Sequence, residues 1–161
     1  MFGSRKKSKE QEEQEALAEL RALPQPAMDF TTPEGAILCL EDAYRRRDIE
    51  AAVDCKDFLI EGTLLLLEAA PETAEDPQIQ KQTAEVLELA YRKEITENWP
   101  DMEGVESFFV ASEPLDGELA IVLVTEFNRY PDGSFSESYL RVGKTENGWR
   151  VLNPVSPDEP G

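Results

Sequence analysis

The stretch "YRRRDIEAAVDCKDF" (residues 44–58) puts three consecutive arginines into a chain of formal net charge −18. A nucleic-acid grip, a catalytic cluster and a helix end are the three readings of such a run, and its surroundings select the third. Upstream, Ala36, Ile37, Leu40, Ala43 and Tyr44 recur at helical spacing and make one apolar face. Thr32 suits an N-cap, Pro33 the first helical position and Glu34 the positive helix end. The arginines then fall in the last turn, where cations complement the negative end of the helix dipole. Asp48 caps a second helix, with Ile49, Ala52 and Val53 facing inward. The run is therefore a joint between two helices, and the fold grows outward from it.

Toward the C-terminus the helical pattern continues. Residues 57–70 contain "LLLLEAA", and four leucines in a row imply burial on more than one side. After the loop "PETAEDP", Asp76 caps a long helix over residues 77–98, with Ile79, Thr83, Val86, Leu87, Ala90 and Ile95 along its inner side. Pro100 ends it, with Trp99 at the boundary. The period then changes to two. "GVESFFVASEP" reads as a strand, and "ELAIVLVTEFNRY" as a central one, apolar on both faces in its first half. "FSESYLRVGKT" alternates cleanly, and "WRVLNPV" is a last strand stopped by Pro154. "PDGS" and "ENG" are the turns between them. Helices first and an antiparallel meander of about four strands second argue an α+β fold, with the helices packed on the concave side of one curved sheet.

Toward the N-terminus, residues 8–22 read as a polar helix, broken by the two prolines of "LPQPAMDF". Residues 1–28 are expected to be an appendage, helical or partly disordered. Residues 29–155 form the domain, and residues 156–161 a flexible tail.

The 161 residues suit one core, and 40% are hydrophobic. The acidity lies in the domain: the first thirty residues carry 5 basic and 6 acidic side chains, the remainder 11 and 28. Such a field repels nucleic acid and anionic membranes and attracts cationic partners. No stretch approaches the ~20 apolar residues of a membrane span, and the basic start lacks the apolar core of a secretory signal. Cys39 and Cys55 are expected to be reduced, buried thiols of a cytoplasmic protein. With no histidine and no close ligand spacing, neither a metal nor a cofactor is expected.

Two segments carry a family resemblance: "TPEGAILCLEDAYRRRDIEAAVDCKDF" (residues 32–58) and "SESYLRVGKTENGWRVLNP" (residues 136–154). The first resembles the opening helix of the nuclear transport factor 2-like superfamily, with its basic turn and short following helix. The second resembles that fold's closing hairpin. The similarity spans about residues 30–155 and is greatest to the immunity-protein branch, whose members neutralise bacterial polymorphic toxins. It implies a cone-shaped sheet and a non-enzymatic protein that binds a cognate toxin domain, occluding a basic active site or its substrate access. It also implies a homodimer through the sheet as one possible assembly.

Other branches of that superfamily are enzymes of the polyketide cyclase or ketosteroid isomerase type, which use a pocket carboxylate. Here Glu126 and Glu137 are the candidates, both near strand ends, where carboxylates are usually solvated. A binding or scaffolding module is a third alternative. Tyr44, Tyr91, Trp99 and Tyr139 read as core residues with polar tips. Acidic side chains recur along the strands and loops at Glu103, Glu106, Glu113, Asp116, Glu118, Glu126 and Glu137. The expected partner surface combines the aromatic anchor Trp99 with Asp101, Glu103, Glu106, Glu126 and Glu137.

Overall fold

Each helix starts where the sequence offers a cap. A computed structural model describes residues 8–155, so residues 1–7 of the appendage and the tail expected at 156–161 lie outside the described residues. The helices are α1 (Lys9–Arg21), α2 (Pro33–Arg46), α3 (Ile49–Asp54), α4 (Phe58–Ala69) and α5 (Pro77–Glu97), with a 3-10 turn at Pro71–Thr73. Thr32 Oγ1 accepts from the Gly35 amide at 3.0 Å, Asp48 Oδ1 from Ala51 at 3.1 Å and Asp57 Oδ1 from Ile60 at 2.9 Å. Asp76 caps α5 in the same way. Each such cap stabilises its helix by about 0.5–2 kcal/mol.

The arginine run sits where the spacing placed it. Arg45 and Arg46 lie in the last turn of α2, and Arg47 closes it in the left-handed conformation at φ 52°. Strands β1 (Glu106–Pro114), β2 (Ile121–Arg129), β3 (Phe135–Thr145) and β4 (Gly148–Val155) follow as an antiparallel meander in the order β1-β2-β3-β4. The fold is α+β, as expected.

The core forms between α2 and one face of the sheet. Ala36, Ile37, Leu40 and Ala43 meet Val124, Val142 and Val151, with Ala52 and Cys55 completing the cluster. Strand alternation puts Glu126 and Asn128 on the same face as Val124. Leu123, Thr125, Phe127 and Arg129 point to the other face. Cys39 and Cys55 are both free; Cys55 is buried as expected, and burial pushes its thiol up to about 12, whereas Cys39 is only half-buried.

Residues 27–30 strap the start of α2 to β4. The Trp149 amide donates to Phe30 O at 2.9 Å, and the Arg150 guanidinium stacks 3.8 Å above the Phe30 ring. Two glycines make room for the strap. A Cβ on Gly35 would lie 2.4 Å from Asp29 O, and one on Gly148, which also needs φ 104°, would lie 2.5 Å from Phe30 O. By contrast α1 buries no residue and is tied to β1 by Arg21, whose guanidinium grips Glu106 at 2.7 and 3.0 Å.

Four sequence expectations are corrected. Pro154 does not stop the last strand: β4 runs to Val155 and Pro154 pairs with Leu140. β4 is an edge strand whose outer side is bonded at Trp149 and Val151, by Phe30 and Cys55; Pro154 lies beyond these bonds, where a residue without an N–H is tolerated. Leu65 and Leu67 are exposed, because α4 has α5 along one flank and open surface along the other. Val86 and Ala90 also face outward on α5, and Tyr91 is the residue turned toward the core cluster. Glu126 is not solvated at a strand end: it is 2% exposed, since α2 crosses the sheet there.

Candidate functional site

The arginine run holds the loop that follows α5. Arg45 donates from Nε to Met102 O at 3.1 Å and from Nη2 to Val105 O at 3.3 Å. Arg46 pairs with Asp42 and Asp48. Trp99 is half-buried, and Asp101 and Glu103 are exposed. These two acids share a hollow of about 250 Å³ with Tyr44, Arg45 and Arg47, so the expected acidic patch is of mixed charge.

The remaining expected residues are dispersed. Glu106 is engaged by Arg21 and Arg129, and the hydrogen bond from Arg21 is the main reason its carboxyl sits below the usual range. Glu137 is exposed and accepts from the Tyr139 hydroxyl at 2.6 Å. Glu126 lies beneath α2 and presents nothing to a partner. Trp99, Asp101, Glu103 and Glu106 are thus neighbours along one loop and strand start, while Glu126 and Glu137 point to opposite faces of the sheet.

Under α2 Glu126 meets a second buried carboxylate that the sequence reading missed. Glu41 is 6% exposed and stands one turn after Ile37 on the inward stripe of the helix. That position on an apolar stripe was the available signal. Ser107 Oγ donates to Glu41 Oε1 at 2.7 Å, and Asn128 Nδ2 donates to Ser107 Oγ at 3.0 Å. Glu126 Oε2 is buried without a hydrogen-bond partner among the described residues. Burial first, and the neighbouring Glu41 second, raise the proton affinity of Glu126 far above that of an ordinary carboxylate. Both causes favour the protonated form of Glu126. Neither carboxylate lines any of the cavities described for the molecule.

A second polar cluster is also internal. Lys56 and Glu61 form an ion pair whose two side chains are 7% exposed. The Lys56 ammonium lies 5.2 Å from the Tyr91 ring centre, and the Tyr91 and Tyr44 hydroxyls share a hydrogen bond of 2.7 Å. Desolvation pushes the Tyr91 hydroxyl up.

Another concave surface lies between α4 and the turn that joins β1 to β2. It encloses about 800 Å³. Leu64, Leu67, Leu115, Leu119 and Ile121 supply apolar walls, and Glu75, Glu113, Asp116 and Glu118 stand around them. All four carboxylates are exposed, and none has an ion-pair partner among the described residues. Arg141 is the one cation among the lining residues. The sequence shows the acids of "SEPLDGELA" (residues 112–120) but not that α4 would wall them into a cleft.

No family model matches the chain, and no curated protein matches it. Among solved structures, the chain is similar to a phospholipid-binding protein from Ralstonia solanacearum in complex with a phospholipid. The TM-score is 0.42 at 17% sequence identity, over 77% of this chain and 75% of that one. No helix among the described residues is long and apolar enough to cross a membrane.

Proposed function

We propose that this chain is a non-enzymatic binding protein that takes up a cationic protein surface in the cleft between α4 and the β1–β2 turn, and that it serves as the immunity protein of a cognate toxin domain in the cytoplasm. The observation that carries the reading is the set of four unpaired carboxylates around an apolar cleft. A lysine or arginine side chain fits such a surface, its stem against leucine and its charge among carboxylates. The cleft replaces the loop at Trp99 as the favoured contact, because Arg45, Arg47, Arg21 and Arg129 already offset the acids near that loop. The resemblance to the immunity branch of the nuclear transport factor 2-like superfamily supplies the class of partner. Toxins that act on nucleic acids or nucleotides need basic clefts, and an acidic inhibitor gains association rate and specificity from opposite charge.

The test begins with the adjoining genes, where this reading expects a toxin gene, and measures binding of the purified chain to the toxin domain that gene encodes. Inhibition of the toxin is expected, and it should be lost in a Glu113→Lys/Asp116→Lys/Glu118→Lys variant of unchanged melting temperature. Absence of binding by the wild-type chain overturns the proposal.

The enzyme reading rests on the raised proton affinity of Glu126. A general acid or base must reach its substrate, and Glu126 is sealed under α2. Turnover that disappears in Glu126→Gln would favour the enzyme and count against the immunity reading.

A further inference from the structure

The outer side of α5 carries the two most exposed large apolar side chains among the described residues, Val86 at 65% and Leu89 at 68%. Three positions apart, they share one side of the helix. Leu89 also borders a groove of about 760 Å³, on whose other wall stands Leu59 at the start of α4, 51% exposed. The charges on this helix are mixed: Lys81, Arg92 and Lys93 stand among Glu85, Glu88, Glu94 and Glu97, in a chain of net charge −18.

The charges along α5 also pair with themselves. In two antiparallel helices related by a two-fold axis at Leu89, residues equally far from Leu89 on either side come level with each other. Glu85 and Lys93 each lie four positions from it. Glu85 of one copy therefore stands opposite Lys93 of the other, with Arg92 one residue away, and symmetry makes the contact twice. Neither Glu85 nor Lys93 has an ion-pair partner among the described residues. We infer that the chain forms a two-fold symmetric dimer through α5, seated on Val86 and Leu89 and held in register by reciprocal Glu85–Lys93 pairs. This is a different face from the sheet.

Sedimentation of the full chain over a wide concentration range tests it. A concentration-dependent dimer is expected. Leu89→Glu, which sets like charges against each other on the axis, should leave a folded monomer, its fold checked by circular dichroism. Glu85→Lys and Lys93→Glu should each weaken the dimer, and the double variant should restore it. A wild-type chain that stays monomeric, or a dimer that survives Leu89→Glu, overturns the inference. A double variant as weak as the single ones overturns the antiparallel register and with it the proposed pairing.

Discussion

Glu126 links a single side chain to the pH response of the whole fold. Its folded-state proton affinity is raised, so the native state keeps a proton that the unfolded chain releases above about pH 4.3. Stability therefore falls as pH rises through this range, by at most about 1.4 kcal/mol per unit, with the proton belonging to the Glu41–Glu126 pair. Glu126→Gln mimics the protonated acid. Its melting temperature should exceed that of the wild type at pH 7–8, by a margin that shrinks toward pH 5. A variant less stable than the wild type at neutral pH, with no pH dependence of the difference, would contradict this account. Arg45 gives a second prediction. Its two bonds to loop carbonyls make Arg45→Ala cost about 1–3 kcal/mol in chemical denaturation, whereas loss of Arg46, which pairs with Asp42 and Asp48 beside its own helix end, should cost about 0–1 kcal/mol. The sequence identified the arginines as a helix end. It did not show that one of them reaches a loop 57 positions away, because that contact depends on how α2 and β1 pack. Glu126 was misread for a related reason. Its alternation with Val124 was visible, but the helix that covers both residues was not.

The helices and strands themselves were legible because their signals are local. Caps, prolines and a change of period from 3.6 to 2 mark nearly every boundary within two residues. What periodicity cannot give is how many neighbours an element has. The leucine run of α4 and the stripe of α5 predicted inward faces correctly in part, yet left Leu65, Leu67 and Val86 in solvent. The strap at residues 27–30 was equally hidden, since its partners are glycines chosen for the space they leave. Gly148→Ala must find room beside Phe30 O at a backbone angle that suits glycine, so a loss of at least about 2 kcal/mol is expected in thermal or denaturant unfolding. An unchanged midpoint would show that the strap yields. For α1 the expectation is the reverse. It buries no residue and is held by an exposed ion pair, so deleting residues 1–22 should move the melting temperature by no more than a few degrees. A large drop would make the helix part of the core.

For the molecule as a whole, charge is the property that survives every reading. Composition argues against nucleic acid and anionic surfaces as partners, and the fold gathers unpaired acids around one apolar cleft. The partner's identity was not legible, because a surface fixes the chemistry it attracts and leaves many partners of that chemistry. The most direct test is the association rate with the toxin domain that the proposed function calls for, measured by stopped flow at rising salt for the wild type and for Glu113→Lys/Asp116→Lys/Glu118→Lys. Screening shortens from about 30 Å at 0.01 M salt to about 8 Å at 0.15 M. The wild-type rate should therefore fall steeply across that range, and the variant should start slower and respond less. A wild-type rate indifferent to salt, or a variant that associates as fast as the wild type, would contradict the cleft as the site of recognition.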